Sequence, residues 1–200
     1  MGNIITETAI IFDDNDSLER NKQEQIYLDY INEHISLVKK AYEIYMIPLI
    51  DKNNISSLIS DEELKNAISE VGKYIDTHDA SKFSDSEFDG YRAKWYPTTR
   101  ELAGDDNYKH DVDERYEECW KHHYQINKHH PKYWVNDDGT CRDMTLDAIV
   151  EMLCDWEAMS LKFGTSTVEW YNNKAEDEKS CFSPTTKSIV EDLLFNVLHN

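Results

Sequence analysis

Residues 60–83 read SDEELKNAISEVGKYIDTHDASKF, and their pattern is the starting point for predicting the fold. Ser60 followed three residues later by Glu63 forms a capping box, a pattern that begins a helix. The apolar residues after it are spaced three and four apart, which predicts one buried helix face (Leu64, Ile68, Val71, Ile75). The same spacing continues onto His78, and Asp79 follows it, so ionisable side chains are expected where this buried face ends.

Apolar residues spaced three and four apart recur along the whole chain, and no segment alternates for long with the period of a strand. The spacing predicts long helices over about residues 21–47 and 145–163. It predicts further helices before Pro97, before Asn127 and after Pro184. The sequence therefore indicates an all-α fold.

The chain contains no internal repeat and no low-complexity linker, so nothing in it marks an interior domain boundary. We expect one all-α domain over residues 21–200, preceded by an extended or strand-like arm over residues 1–20. Ser84–Glu87 has the same pattern as Ser60–Glu63, and it predicts another capping box at the start of a short helix.

The charge balance excludes several classes of partner. Lys and Arg number 21 against 40 Asp and Glu, which gives a formal net charge of −19. Such a chain lacks the basic face that long nucleic acids and anionic membrane surfaces require. No run approaches the roughly 20 apolar residues of a membrane span, and the N-terminus lacks the apolar segment of a signal peptide. We expect a cytoplasmic protein whose four cysteines are reduced.

Two further helices carry an ionisable residue inside an apolar stripe. His34 lies between Ile31 and Val38, and Asp155 lies between Met152 and Met159. An inward carboxylate without a partner costs several kcal/mol, so it is normally placed beside a cation or strong donors. Together with His78 and Asp79, these residues mean that three helices direct His or Asp toward one core.

Imidazole and carboxylate groups in one place are typical of a metal centre. Taken singly, a buried His or Asp is commonly a hydrogen-bonded structural residue. The convergence of four favours a metal site, and we interpret His34, His78, Asp79 and Asp155 as its ligands. This mixture of donors suits Mn, Fe, Co, Ni or Zn, with Mg as a further candidate, and it leaves coordination positions for water and substrate.

The order His34, His78-Asp79, Asp155 resembles the HD-domain superfamily of metal-dependent phosphohydrolases, whose pattern is H…HD…D on an all-α core. Many members carry a lysine three positions after the Asp, as Lys82 does here. The resemblance implies an HD-like bundle of about six to seven helices, with Asp79 and Lys82 in catalytic roles. It also implies a metal-activated water and a small phosphorylated substrate, with a nucleotide as the natural choice.

Three strings are also similar to a bacterial and phage family without an established function. They are HDASKF (78–83), NKHHPKYW (127–134) and EMLCDW (151–156). This likeness covers about residues 25–175 and implies no activity.

Half of the eight histidines lie in residues 119–130. The HD resemblance implies that His123, with His129 or His130, binds a second metal ion or the substrate phosphate. A solvated turn with stacked imidazoles is the competing interpretation. A structural zinc that uses Cys119 and Cys141 with histidines of this stretch is a third.

Two alternatives remain beside the hydrolase. An acidic protein-interaction or DNA-mimic protein of phage type would use the net charge of −19 directly. An HD-like protein could also bind metal without turnover, and the sequence is compatible with a homodimer. Glu151 lies one helical turn before Asp155, where we expect a surface acid rather than an acceptor for a metal-bound water.

Overall fold

The computed structural model describes residues 4–104 and 106–199, and the side chains of residues 16–104 and 107–199. The described chain is all-α, which confirms the predicted fold class. Its helices are α1 (Ile4–Ala41), α2 (Asp61–Val71), α3 (Phe88–Trp95), α4 (Thr99–Leu102), α5 (Asp106–Ile126), α6 (Leu146–Phe163), α7 (Thr167–Lys174), α8 (Glu176–Ser180) and α9 (Pro184–Glu191). The remaining helical turns are π-helical (Tyr42–Met46, Asp192–Leu198) or 3-10 (Ile47–Leu49, Ile75–Thr77, Ala80–Phe83, Pro131–Trp134).

None of the described helices combines the length and the apolar character needed to cross a bilayer.

The extended arm expected for residues 1–20 is wrong from residue 4 onward. Helix α1 begins at Ile4 and runs without a break to Ala41. A strand needs neighbouring strands, and the described residues contain only an isolated bridge between Val135 and Cys141. Each residue added to an existing helix gains a backbone hydrogen bond, so α1 extends toward the N-terminus beyond the predicted start near residue 21. Residues 1–3 lie outside the described part of the chain.

One of the two predicted capping boxes forms. The Ser60 hydroxyl accepts from the Glu63 amide at 3.3 Å, and the Ser60 amide donates to the Glu63 carboxylate at 3.1 Å. The second, at Ser84–Glu87, is wrong. Helix α3 begins at Phe88, and the side chain of Glu87 makes no cap hydrogen bond but is fully buried.

The described chain divides into two compact units. We call residues 4–32 and 80–123 the first unit, and residues 33–79 and 124–199 the second unit. Helices α1 and α5 each pass from one unit to the other, and α5 does so close to its C-terminal end. The third boundary, between residues 79 and 80, lies between two 3-10 turns. No linker marks any of the three boundaries, which is why the sequence indicates one domain.

The core of the second unit is built around the contact between α2 and α6. The predicted stripe of α2 is buried there with apolar residues of α6 (Leu64, Ile68, Val71, Ile149, Met152, Leu153). Burying a side chain of this size contributes about 1.5–3 kcal/mol, so this contact fixes the two helices firmly. The residues that follow α2 and those along α6 therefore have defined positions.

The first unit is held by a buried ion pair as well as by aromatic packing. Arg92 is fully buried and donates to both carboxylate oxygens of Glu101, at 2.6 and 2.7 Å. The rings of Tyr27 and Phe88 lie 5.1 Å apart. The part of α1 around Tyr27 is thereby packed against α3.

Candidate metal centre

Four of the predicted ligands meet in the second unit. The Nε2 atom of His34 lies 3.2 Å from Asp155 Oδ1 and 3.5 Å from Asp79 Oδ2. The Nε2 atom of His78 lies 3.7 Å from Asp79 Oδ2 and 3.9 Å from Asp155 Oδ1. Two imidazole nitrogens and two carboxylate oxygens from α1, from the turn after α2 and from α6 thus converge on one small volume.

The backbone at Asp79 allows two adjacent residues to serve the same centre. Asp79 has φ +56°, in the left-handed region that Asp tolerates better than most residues. His78 ends the 3-10 turn Ile75–Thr77 with an extended backbone, and the reversal at Asp79 follows at once. A strained non-glycine residue persists where its surroundings require it, and functional sites are where such residues cluster.

His78 supplies a test of whether these residues fit a cation. The residue is 1 % exposed, and its Nε2 atom makes no hydrogen bond within the described residues. A buried polar atom left without a partner costs about 1–3 kcal/mol. A cation bound by Nε2 and the nearby carboxylate oxygens would remove this cost, and the donors therefore fit a divalent transition metal.

Glu151 belongs to the centre, and the expectation that it is a surface acid is wrong. It is buried, and its Oε1 atom accepts from the Nδ1 atom of His78 at 2.9 Å. The Nδ1 atom of His129 lies 3.3 Å from the same oxygen. Residues four apart on a helix share a face, so the position of Glu151 one turn before Asp155 was a usable signal.

His129 and His130 lie between α5 and α6, in the second unit. His129 is buried, and its Nε2 atom lies 3.4 Å from Asp79 Oδ1. His130 offers a nitrogen within 4.8 Å of ligand atoms of both Asp79 and His129. The two predicted histidines of this stretch are thus brought to the carboxylate that also faces His34 and His78.

The other predicted site residues, His123 and Lys82, lie in the first unit. His123 is buried, and its Nδ1 atom lies 2.8 Å from Glu87 Oε2 and 3.0 Å from the Ser81 hydroxyl. Lys82 Nζ lies 5.8 Å from the centre of the Tyr91 ring. Their proposed roles stay predictions.

The two cysteines of the alternative zinc interpretation bond to the backbone. The Cys119 thiol donates to the carbonyl oxygen of Ser86 at 3.3 Å. The Cys141 thiol lies 3.6 Å from the carbonyl oxygen of Ser180. Each thiol thus contacts a backbone carbonyl oxygen more than thirty residues away, and the zinc interpretation stays a prediction.

The electrostatics of the centre pair protonated histidines with ionised acids. Burial opposes charge on His34, but Asp155 and Asp79 outweigh it and raise its pKa to about 9. Burial likewise opposes charge on His129, yet Asp79 and Glu151 raise its pKa to about 10. For Asp155 burial is outweighed mainly by His34, and its pKa lies well below its usual range. The pKa of Glu151 falls to about 2, despite burial, because of His129 and His78. The positive charge of the protonated histidines thus balances the negative charge of the carboxylates. A bound divalent cation could supply that positive charge in place of the protons.

A cleft of about 290 Å³ in the second unit opens beside the centre. Three residues of the centre contribute to its wall, which also contains neutral and charged polar groups (Asp79, His129, Glu151, Tyr74, Thr77, Asn127, Lys128, Asp147). A molecule in this cleft would therefore lie against the same carboxylate and imidazole that face the candidate ion position.

The chain belongs to a family of unknown function, DUF5662, whose family model matches residues 23–196. The match includes every residue of the candidate centre. No curated protein matches the chain. No solved structure matches it either.

Proposed function

We propose that this DUF5662 protein is a metal-dependent phosphohydrolase that acts on a small phosphorylated compound. The observation that supports this proposal is the convergence of His34, His78, Asp79 and Asp155 around one buried point. Hydrogen-bonded structural histidines would not require two aspartates from separate segments at the same point. The HD-like order of these four residues along the chain agrees with the same activity.

The proposed ion is a divalent transition metal, with Mn, Fe, Co, Ni and Zn as candidates and Mg as a weaker one. Imidazole nitrogen suits these transition metals, whereas Mg prefers oxygen ligands. When bound, such an ion supplies an acidified water and neutralises phosphate oxygens. In this proposal His34 and His78 hold the ion by nitrogen, and Asp79 and Asp155 compensate its charge.

Asp79 presents its two oxygens to different partners. Its Oδ2 atom faces His34 and His78, whereas its Oδ1 atom faces His129 at 3.4 Å. We therefore propose that His129 and His130 bind a second ion beside Oδ1. The alternative role for these two histidines is donation to the substrate phosphate. We also propose, from the HD resemblance, that His123 contributes to the second ion or to the phosphate and that Lys82 neutralises the phosphate.

The adjacent cleft favours a small substrate. Its volume of about 290 Å³ lies at the lower end of ligand pockets, which run from about 300 to 1,000 Å³. Asp79, Asp147 and Glu151 line it against a single lysine, Lys128. This negative lining disfavours a polyphosphate chain or a long nucleic acid. It suits one phosphoryl group attached to a compact polar body, such as a nucleoside monophosphate.

The test is metal analysis of the purified protein, followed by a phosphatase screen of nucleotides and other phosphoesters with added Mn²⁺, Co²⁺, Ni²⁺ or Mg²⁺. We expect bound transition metal and metal-dependent release of phosphate. Asp79→Ala should lose the ion and lower activity by about a thousandfold, since the ion supplies several kcal/mol of transition-state stabilisation.

Asp76→Ala is the matched control, because Asp76 is an exposed carboxylate three residues earlier that pairs with Lys39 at the surface. It should keep both ion and activity. A folded Asp79→Ala protein that lacks metal but retains full activity contradicts the proposal. Bound metal without turnover on any phosphoester would instead indicate a metal-binding protein that is not an enzyme. Absence of metal together with salt-sensitive binding to basic proteins would support an acidic interaction protein.

A further inference from the structure

We infer that Glu151 is a positioning residue shared by two ion positions, so that it couples the binding of one ion to the binding of the other. This inference rests on the proposed function, because it assumes the ion at His78 and the second ion at His129. It concerns a residue that neither the H…HD…D pattern nor the family match assigns.

The geometry places one carboxylate oxygen behind two imidazole rings. Glu151 Oε1 lies 2.9 Å from His78 Nδ1 and 3.3 Å from His129 Nδ1. The two ring centres are 4.4 Å apart. Both rings therefore present their opposite nitrogens, the Nε2 atoms, on the side away from Glu151.

Those two Nε2 atoms face the two oxygens of a single aspartate. His78 Nε2 lies 3.7 Å from Asp79 Oδ2, and His129 Nε2 lies 3.4 Å from Asp79 Oδ1. Glu151 thus anchors one ring on each side of Asp79. A position beside Oδ2 and a position beside Oδ1 share the same supporting carboxylate.

A carboxylate behind a ligand histidine acts on both its protonation and its orientation. An ionised carboxylate only accepts, so each Nδ1 atom carries the hydrogen and each Nε2 atom keeps a lone pair in the neutral ring. Such supporting partners commonly change metal affinity by about 10- to 100-fold when they are replaced. Since Glu151 stands on α6, one turn before Asp155, its backbone is fixed by a buried helix.

The shared oxygen predicts coupling as well as support. An ion bound at His78 fixes that ring, which fixes the Glu151 carboxylate and hence the ring of His129. The second ion then enters a site that is already ordered, so its affinity is raised by the first.

The experiment is calorimetric titration of the full chain with Mn²⁺, repeated with Co²⁺ and followed by visible absorption. The wild-type protein should bind two ions with positive coupling. Glu151→Gln should weaken both ions by about 10- to 100-fold and shift the Co²⁺ spectrum. Glu151→Asp retains the charge and should recover part of the affinity.

Glu157→Gln is the matched control. Glu157 is a buried glutamate on the same helix that accepts from a histidine, His199, outside the centre. It should leave both affinities unchanged, and circular dichroism should confirm that each variant is folded. Should Glu151→Gln fail to fold, the Glu151→Asp titration decides by itself: unchanged affinities at both positions overturn the inference.

Weakening of only one ion, or equal weakening by Glu157→Gln, overturns the shared role. If the wild-type protein binds two ions and Glu151→Gln binds them equally well, this inference fails and the proposed function survives. If the wild-type protein binds no ion, both fail.

Discussion

Two buried glutamates, Glu87 in the first unit and Glu151 in the second, have their charges balanced by different sets of partners. In the first unit Glu87 accepts from the Nδ1 atoms of His122 and His123 at 2.7 and 2.8 Å, and from the Ser81 hydroxyl at 2.9 Å. The two histidines are neighbours on α5, and the side chain of His122 is 40 % exposed. The charge of Glu87 is thus balanced by three donors, one of which is partly exposed to solvent.

Glu151, in the second unit, has two histidine partners from separate segments, and both are almost fully buried. Two more carboxylates, Asp79 and Asp155, lie within 4 Å of nitrogens of the same cluster. Three carboxylates are therefore close together at a place that solvent hardly reaches. The comparison teaches that burial of a histidine–carboxylate pair does not by itself indicate a metal site. Additional acid groups that approach the remaining ring nitrogens are the feature that makes the second cluster able to hold an ion.

Replacement of Glu87 should have the largest effect of the predictions on this contrast. Glu87→Gln should lower the free energy of unfolding by about 2–3 kcal/mol, because two imidazoles lose a charged acceptor inside the protein. It should retain the ion at His34 and Asp155, whose ligands all lie in the second unit. Urea unfolding and metal titration measure the two effects. Loss of that ion in Glu87→Gln would show that the two glutamates do not differ in this way.

The pH dependence of the second unit should come next in size. The pKa of His34 is about 9 in the folded protein against an ordinary value of 6.5. Its contribution to stability is therefore complete below pH 6.5 and is lost as the pH rises through 9. The melting temperature of the ion-free protein should fall by several degrees between pH 6.5 and 8.5. Stabilisation by Mn²⁺ should grow over the same range, because metal binding requires neutral imidazole.

Thermal denaturation with chelator and with Mn²⁺ at both pH values checks this prediction. His34→Gln serves as the control and should reduce the ion-free dependence, with the remaining part due to His129, whose pKa is about 10. An equal slope in wild type and His34→Gln would assign the effect to another group.

Of these variants, Lys82→Ala should have the smallest effect. It tests whether a residue of the first unit contributes to catalysis without contributing to ion binding. Lys82 follows Ser81, which donates to Glu87, and the HD resemblance implies that it neutralises the substrate phosphate. We expect kcat/KM to fall about tenfold, or 1.4 kcal/mol, with ion affinity unchanged. Lys94→Ala is the control, because Lys94 lies over Tyr116 as Lys82 lies over Tyr91. Equal losses in the two variants would remove the catalytic role from Lys82.

Much of the centre could be predicted because helical periodicity reports which face is buried. His34 lies between Ile31 and Val38, and it is 4 % exposed as the stripe predicted. The continuation of the α2 stripe onto His78 was equally informative. The predictions failed where a local pattern competed with distant partners. Ser84–Glu87 has a capping pattern, but Glu87 instead accepts from residues more than thirty positions away.

Residue patterns alone were enough to predict the helical class, the beginning of α2 and the inward direction of His34, His78 and Asp155. These properties follow from spacing and capping, which act over a few residues. Only the tertiary structure decided that Glu151 is buried behind His78 and His129, and that Asp79 faces both sides. Such contacts join segments far apart in the chain, and their distances depend on how whole helices pack. The spacing within α6 indicates that Glu151 shares a face with Asp155, but it does not indicate which histidines that face meets.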